Sequence, residues 1–186
     1  MARPALNDTM MTVEEYLEME RNSQVKHEYV AGYVYAMSGT SDAHNIIALN
    51  VATALRGHLR GTPCRTFMAD VKARIETADR FYYPDVMVSC ERAKDRYYRT
   101  EPVLVVEVLS DSTARRDQGE KWGDYRTLPS LKEYVLVSQD CMDVRVFRQD
   151  ATGEWRQHIY TDGMVVPLNS VELEIPIEQV YEEAWD

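Results

Sequence analysis

Six of the seven residues from Val103 to Leu109 are aliphatic, with no polar alternation, and the exception is Glu107. A run this short and apolar reads as a β-strand covered on both faces, which places it inside a sheet with helices on either side. The stretch from Ala114 to Leu128 that follows has helical character and stops at Pro129, with Ser110 to Thr113 offering caps. Glu133 to Ser138 is then a second apolar strand. Strand, helix, strand makes a crossover and so a parallel pair, and the chain is expected to be α/β with a mixed central sheet flanked by helices.

Other elements attach to this unit. Thr12 and Glu15 have the spacing of a capping box for a short helix through Arg21. His27 to Met37 reads as a hairpin turning at Ala31-Gly32. The helix from Asp42 carries an apolar stripe through Ile46, Leu49, Val51, Leu55 and Leu59 until Gly61-Thr62-Pro63 ends it. Arg65 to Glu76 alternates, with Val71, Ala73 and Ile75 on one side and Asp70, Lys72, Arg74 and Glu76 on the other, and is expected to form a hairpin with Phe81 to Ser89. Met142–Phe147 and Trp155–Thr161 read as a further hairpin, followed by a short acidic helix near Ile177 to Glu183. At 186 residues one domain is expected, with a core over about 42–138, an N-terminal helix and hairpin in 1–41, and a C-terminal hairpin and helix in 139–186.

No apolar run approaches the roughly 18 residues of a membrane span, and the N-terminus lacks a secretory pattern, so a cytoplasmic location without membrane contact is expected. The three cysteines, Cys64, Cys90 and Cys141, form no CxxC and read as small core residues. The net charge of −10 opposes generic nucleic-acid binding. The excess is uneven, however. Val166 to Asp186 holds six acids and no Lys or Arg, whereas Arg56 to Arg99 holds ten bases against six acids and is the segment where DNA would bind. Tyr82, Tyr83, Tyr97 and Tyr98 lie in or near that segment, as base-stacking candidates or as packing residues.

Glu107 carries the chemical argument. An ionised carboxylate within an aliphatic strand costs several kcal/mol unless a cation or hydrogen bonds compensate it, on the order of the penalties for burying charge. Asp85 interrupts a second apolar strand directly after Pro84. Two carboxylates on neighbouring strands suit a hard divalent cation such as Mg²⁺ or Mn²⁺, which takes oxygen ligands and activates water for attack on phosphorus. Asp117, Lys121 and Tyr125, spaced four apart, share one helix face. Lys121 can come level with Glu107 if that helix runs back along the sheet.

The element order from residue 42 to 138, with Pro84-Asp85 and Glu107 on successive strands, resembles the PD-(D/E)XK nuclease superfamily. More closely, Tyr83-Pro84-Asp85-Val86, Val105 to Ser110, Thr113, Asp117, Lys121, Tyr125 and Glu133-Tyr134 resemble the Uma family of bacterial restriction-endonuclease-like proteins. The resemblance implies a restriction-endonuclease-like core of order αβββαβ, and metal binding by Asp85, Glu107 and the main-chain carbonyl of Val108. The superfamily lysine would stand at position 109, where this chain has Leu109. The resemblance suggests Lys121 in its place, with Lys72 the fallback. The helix from Asp42 lacks the glutamate that the superfamily often carries there, and the resemblance suggests Glu28 or His44 as its substitute. The function so implied is a Mg²⁺- or Mn²⁺-dependent endonuclease acting on DNA, working as a homodimer or other homo-oligomer. The alternatives are a catalytically silent binding or assembly module and a hydrolase of a smaller phosphoester.

Overall fold

The computed structural model describes residues 5–7, 9–92, 95–110 and 114–185. In chain order the elements are α1 (Val13–Asn22), β1 (His27–Val30), β2 (Tyr33–Ala36), α2 (Asp42–His58), β3 (Arg65–Met68), β4 (Lys72–Ile75), β5 (Arg80–Tyr82), β6 (Val86–Ser89), β7 (Tyr98–Arg99) and β8 (Pro102–Leu109). A helical stretch follows as α3 (Ala114–Arg116), a π turn (Asp117–Lys121) and α4 (Trp122–Tyr125). Last come β9 (Glu133–Ser138), β10 (Asp143–Gln149), β11 (Trp155–Thr161), β12 (Val165–Leu168), β13 (Leu173–Pro176) and α5 (Ile177–Val180). Of the helix caps expected between Ser110 and Thr113, residues 111–113 lie outside the described residues, as do Lys94 of the basic segment and Asp186 of the acidic tail.

Six strands form one sheet in the order β11-β10-β9-β8-β6-β3, five form a second in the order β2-β1-β5-β4-β7, and β12 and β13 pair alone. In the larger sheet β8 and β9 are parallel, as a crossover requires, and β6 lies antiparallel on the other side of β8. The aliphatic run is therefore interior to its sheet. One face is covered by α2 through Ile47, Val51 and Leu55, which pack with Val86, Val88, Val106, Val108 and Val135. The other face packs Val105, Leu109, Tyr134 and Leu136 with Tyr125, Leu128 and Leu131. A third cluster seats Tyr16 of α1 against Tyr29 and Phe81 of the smaller sheet. Capping of α1 is reciprocal, since Thr12 Oγ1 accepts from the Glu15 N–H while the Thr12 N–H donates to Glu15 Oε2. The β1–β2 turn has positive φ at both Ala31 and Gly32, the twist a tight two-residue hairpin needs.

The long hairpin expected from Arg65–Glu76 and Phe81–Ser89 divides between the two sheets. Its inner halves, β4 and β5, pair in the smaller sheet, and its outer halves, β3 and β6, pair in the larger. Pro84 has no N–H to give a ladder, and both strands break level with it, at residues 69–71 and 83–85. The Ala69 N–H still reaches the Asp85 carbonyl across the corner at 3.3 Å. Asp85 therefore stands where the chain passes from one sheet to the other. Because Lys72 lies on the smaller sheet, its expected place on the polar side is also corrected: it is buried.

Two further expectations change. Cys64 and Cys90 form a disulfide joining the approach to β3 to the end of β6, which alternating hydrophobicity does not reveal, and Cys141 is exposed. The C-terminal segment adds the pair β12–β13 before a helix that ends at Val180. Pro167 and Pro176 interrupt the apolar alternation there and conceal the pairing.

Candidate active site

The pleat of β8 sends Val106 and Val108 toward α2, and Val105, Glu107 and Leu109 toward the helical stretch after the strand. Carrying the Val86–Val106 pairing one step further sets Asp85 opposite Glu107, on the same side of the sheet. The Asp85 carboxylate accepts the Val108 N–H through Oδ2 at 2.7 Å, so a side chain takes over where the β6 backbone ladder stops. His44 Nε2 lies 3.3 Å from the same oxygen, and the His44 ring also bonds the Val108 backbone. His44 is placed at the first turn of α2 by Ser41, whose Oγ accepts the His44 N–H at 3.2 Å.

Opposite these groups lies Lys121. Its Nζ is 3.1 Å from Glu107 Oε1, 3.1 Å from Asp117 Oδ1 and 3.4 Å from Glu28 Oε1. Both Asp117 and Lys121 belong to the π turn, a wider helical turn that is frequent at functional sites. Tyr134 of β9 braces that turn by donating its hydroxyl to the Asp117 carbonyl at 2.9 Å. Glu28 reaches the cluster from β1 of the smaller sheet, where Arg116 bonds its other oxygen and lies over the Tyr82 ring.

The charges do not balance. Glu28, Asp85, Glu107 and Asp117 face Lys121, Arg116 and the His44 ring, so carboxyl groups outnumber cationic ones by one even with that ring protonated. Burial pushes the Glu107 carboxyl well above the ordinary carboxylate range; Lys121 opposes this, while Asp117, Asp85 and Glu28 add to it. Burial works against the Lys121 ammonium, yet Glu107, Glu28 and Asp117 outweigh it and hold the proton more tightly than usual. Burial likewise opposes ionisation of Glu28, but Lys121 and Arg116 prevail and lower its pKa. For His44, burial is outweighed by Asp85 and the ring's bond to Val108, and its pKa rises.

Among the described residues no three His, Cys, Asp or Glu side chains stand as a ready-made metal cluster. Asp85, Glu107 and the Val108 carbonyl nonetheless offer oxygen donors of the kind that would suit Mg²⁺ or Mn²⁺. Four carboxyl groups against Lys121 and Arg116 also leave room for a further cation, which would displace the Glu107 proton.

The structure brings together Glu28, His44, Asp85, Glu107, Val108, Asp117 and Lys121. It does not bring Lys72, whose Nζ is 3.3 Å from the Tyr83 hydroxyl and lies by the Tyr83 and Tyr97 rings. Tyr125 is fully buried beneath Lys121. Tyr82 and Tyr83 are core residues, Tyr98 packs edge-on against Phe81, and Tyr97 is the exposed member of the four. Arg116 was missed from sequence. Its signal was arithmetic: a buried Glu28 added to Glu107 and Asp117 demands a second cation.

This topology, with a mixed sheet between helices and acids at the ends of two adjacent central strands, defines a restriction-endonuclease-like fold. It matches a crystal structure from Anabaena variabilis described as a putative nuclease belonging to DUF820, with a TM-score of 0.78 at 16% identity, over 94% of this chain and 99% of that one. Residues 13–178 match the Uma2 family, whose description is "Putative restriction endonuclease", and the chain belongs to that family. Two uncharacterized proteins of Synechocystis sp. are similar over most of their lengths. One, slr1290, is 34% identical over 92% of this chain and 91% of its own; the other, sll1609, is 33% identical over 78% and 85%. No helix among the described residues is long and apolar enough to cross a membrane.

Proposed function

We propose that this protein is an endonuclease that hydrolyses phosphodiester bonds in DNA with Mg²⁺ or Mn²⁺ as cofactor. The observation that carries this reading is the buried Glu107, whose charge Lys121 alone cannot satisfy while Glu28 and Asp117 draw on the same ammonium. Asp85, Glu107 and the Val108 carbonyl would hold the cation. When bound, it supplies Lewis-acid polarisation of a phosphoryl oxygen and lowers the pKa of water. Lys121 keeps its proton at Nζ and offsets charge developing on the phosphorus oxygens. Glu28 and Arg116 fix the position of Lys121, and Tyr134 fixes the turn that carries it. Self-association as a homodimer or other homo-oligomer, and a cytoplasmic location, belong to the same reading.

A second reading, a module that keeps the fold without turnover, is favoured by one feature. His44 already engages Asp85 and the Val108 backbone, two of the three groups that would hold the cation. Nicking of supercoiled plasmid separates the two readings. The nuclease reading expects Mg²⁺- or Mn²⁺-dependent conversion to open circles that Asp85→Asn lowers by at least about a hundredfold, the scale set by loss of a transition-state contact. No nicking with either ion, or nicking indifferent to Asp85→Asn, would support the silent module.

A further inference from the structure

Away from the carboxylate cluster, a cavity of about 280 Å³ opens at the seam of the two larger sheets. Arg65 and Phe67 of β3 line it, together with Ser89 of β6, Glu91 and Arg92 just beyond, and Arg99 of β7. Arg99 is buried, with its guanidinium carbon 4.6 Å from the centre of the Phe67 ring. Its Nη1 donates to the main-chain carbonyls of Asp95 at 2.8 Å and Tyr98 at 2.6 Å. These neutral acceptors hold the group without cancelling its charge. Arg65 and Arg92 are exposed and make no ion pair among the described residues. The one acid in the lining, Glu91, is turned onto Thr100, accepting from its N–H at 2.9 Å and its hydroxyl at 3.0 Å.

Three arginines in the lining against one engaged carboxylate make the cavity positive in a protein of net charge −10. Guanidinium forks match phosphate oxygens two at a time. The volume is at the lower end for ligand pockets, enough for a phosphate group with its waters or a sugar. The Cys64–Cys90 disulfide ties the strand bearing Arg65 to the segment bearing Arg92, so the two sides of the cavity are held together without a ligand. Alternation along β6 and β3 puts Ser89, Arg65 and Phe67 on the side of the sheet that Met87 and Glu107 face. Ser89 lies four residue steps from Asp85, roughly 13 Å at the usual strand rise.

We propose that this cavity is an anion subsite that seats one phosphate group, and that its occupant is a phosphodiester of the bound nucleic acid other than the one attacked. The second half of the proposal rests on the nuclease reading; the first does not. The test uses the full chain and the double variant Arg65→Gln/Arg92→Gln, which leaves the disulfide and the carboxylate cluster intact. Titration calorimetry with inorganic phosphate in EDTA, and anisotropy of a fluorescent duplex with a fixed concentration of Ca²⁺ in place of Mg²⁺, from 50 to 200 mM salt, are the readouts.

The expected results are phosphate binding that the double variant weakens at least about tenfold, and duplex affinity that falls with it. The slope of log K against log salt should become shallower by about 0.9, the value for one displaced phosphate. Duplex binding with unchanged affinity and slope in the variant would overturn the subsite and leave the nuclease reading standing. Phosphate binding lost in the variant, in a protein that binds no duplex, would overturn the nuclease reading and support the subsite as a site for a smaller phosphoester. Binding of neither ligand by the native chain would overturn both.

Discussion

Replacement of Lys121 by methionine is expected to lower the unfolding free energy by about 3–5 kcal/mol, the cost of removing one partner from a buried ion pair. That is a large part of the 5–15 kcal/mol typical of a whole domain, on the order of a third. The side chains of Glu28, Glu107 and Asp117 all lie within 3.4 Å of Nζ, and each is nearly inaccessible to water. Without the ammonium they repel one another in a medium that screens little. The loss should depend on pH with a definite sign. In the variant the Glu107 carboxyl, already raised by burial, loses the one neighbour that opposes the rise, and so it titrates higher in the folded than in the unfolded chain. Its protonated form therefore spares the fold below the unfolded pKa, and that relief disappears as pH rises through the folded value. Urea denaturation at pH 5 and pH 8 checks this, with the gap between native and variant proteins wider at pH 8. An equal gap at both values would mean that the ammonium is not the group holding the cluster together.

Glu107→Gln should act in opposite directions on catalysis and stability. Cleavage should fall by about a thousandfold, the upper range for loss of a transition-state group. Thermal stability at neutral pH should rise. Burial and three neighbouring carboxylates push the Glu107 pKa well above its unfolded value. The unfolded chain therefore holds fewer protons than the folded one between the two values, and native stability falls as pH rises through that window. Glutamine keeps the shape and an acceptor for Lys121 without the charge. A gain of about 1 kcal/mol corresponds to roughly 2–4 °C at this chain length. Calorimetric scans at pH 4 and pH 7.5 should show the gain at the higher pH only. A melting temperature lowered at pH 7.5 would identify Glu107 as a structural ion-pair partner.

Much of this architecture was legible in the sequence, and for specific reasons. The aliphatic run around Glu107 read as an interior strand, and an acid inside it called for a cation or hydrogen bonds beside it. The spacing of Asp117 and Lys121 put both on one face, although the turn joining them proved to be π rather than α. Local pattern could not show where a hairpin changes sheets. The alternation from Arg65 to Glu76 continues through the corner at Ala69 and Asp70, because period two reports which side is covered and not which sheet covers it. That corner decides the fate of Lys72, sending it to Tyr83 and Tyr97 beside the smaller sheet and away from the carboxylates. The role of Arg116 and the engagement of His44 depend on contacts between residues far apart in the chain, 88 positions in the case of Arg116 and Glu28.

The proposed convergence of Asp85 and Glu107 on one divalent ion is tested most directly by titrating Mn²⁺ into the native protein, Asp85→Asn and Glu107→Gln at pH 6 and pH 8 in buffers of different ionisation heat. The native protein should bind one ion, more tightly at pH 8, with release of protons from the carboxyl cluster, because a ligand must lose its proton to bind. Both variants should lose that site. Absence of Mn²⁺ binding by the native protein, or binding that survives both substitutions, would contradict a metal centre on these two carboxylates.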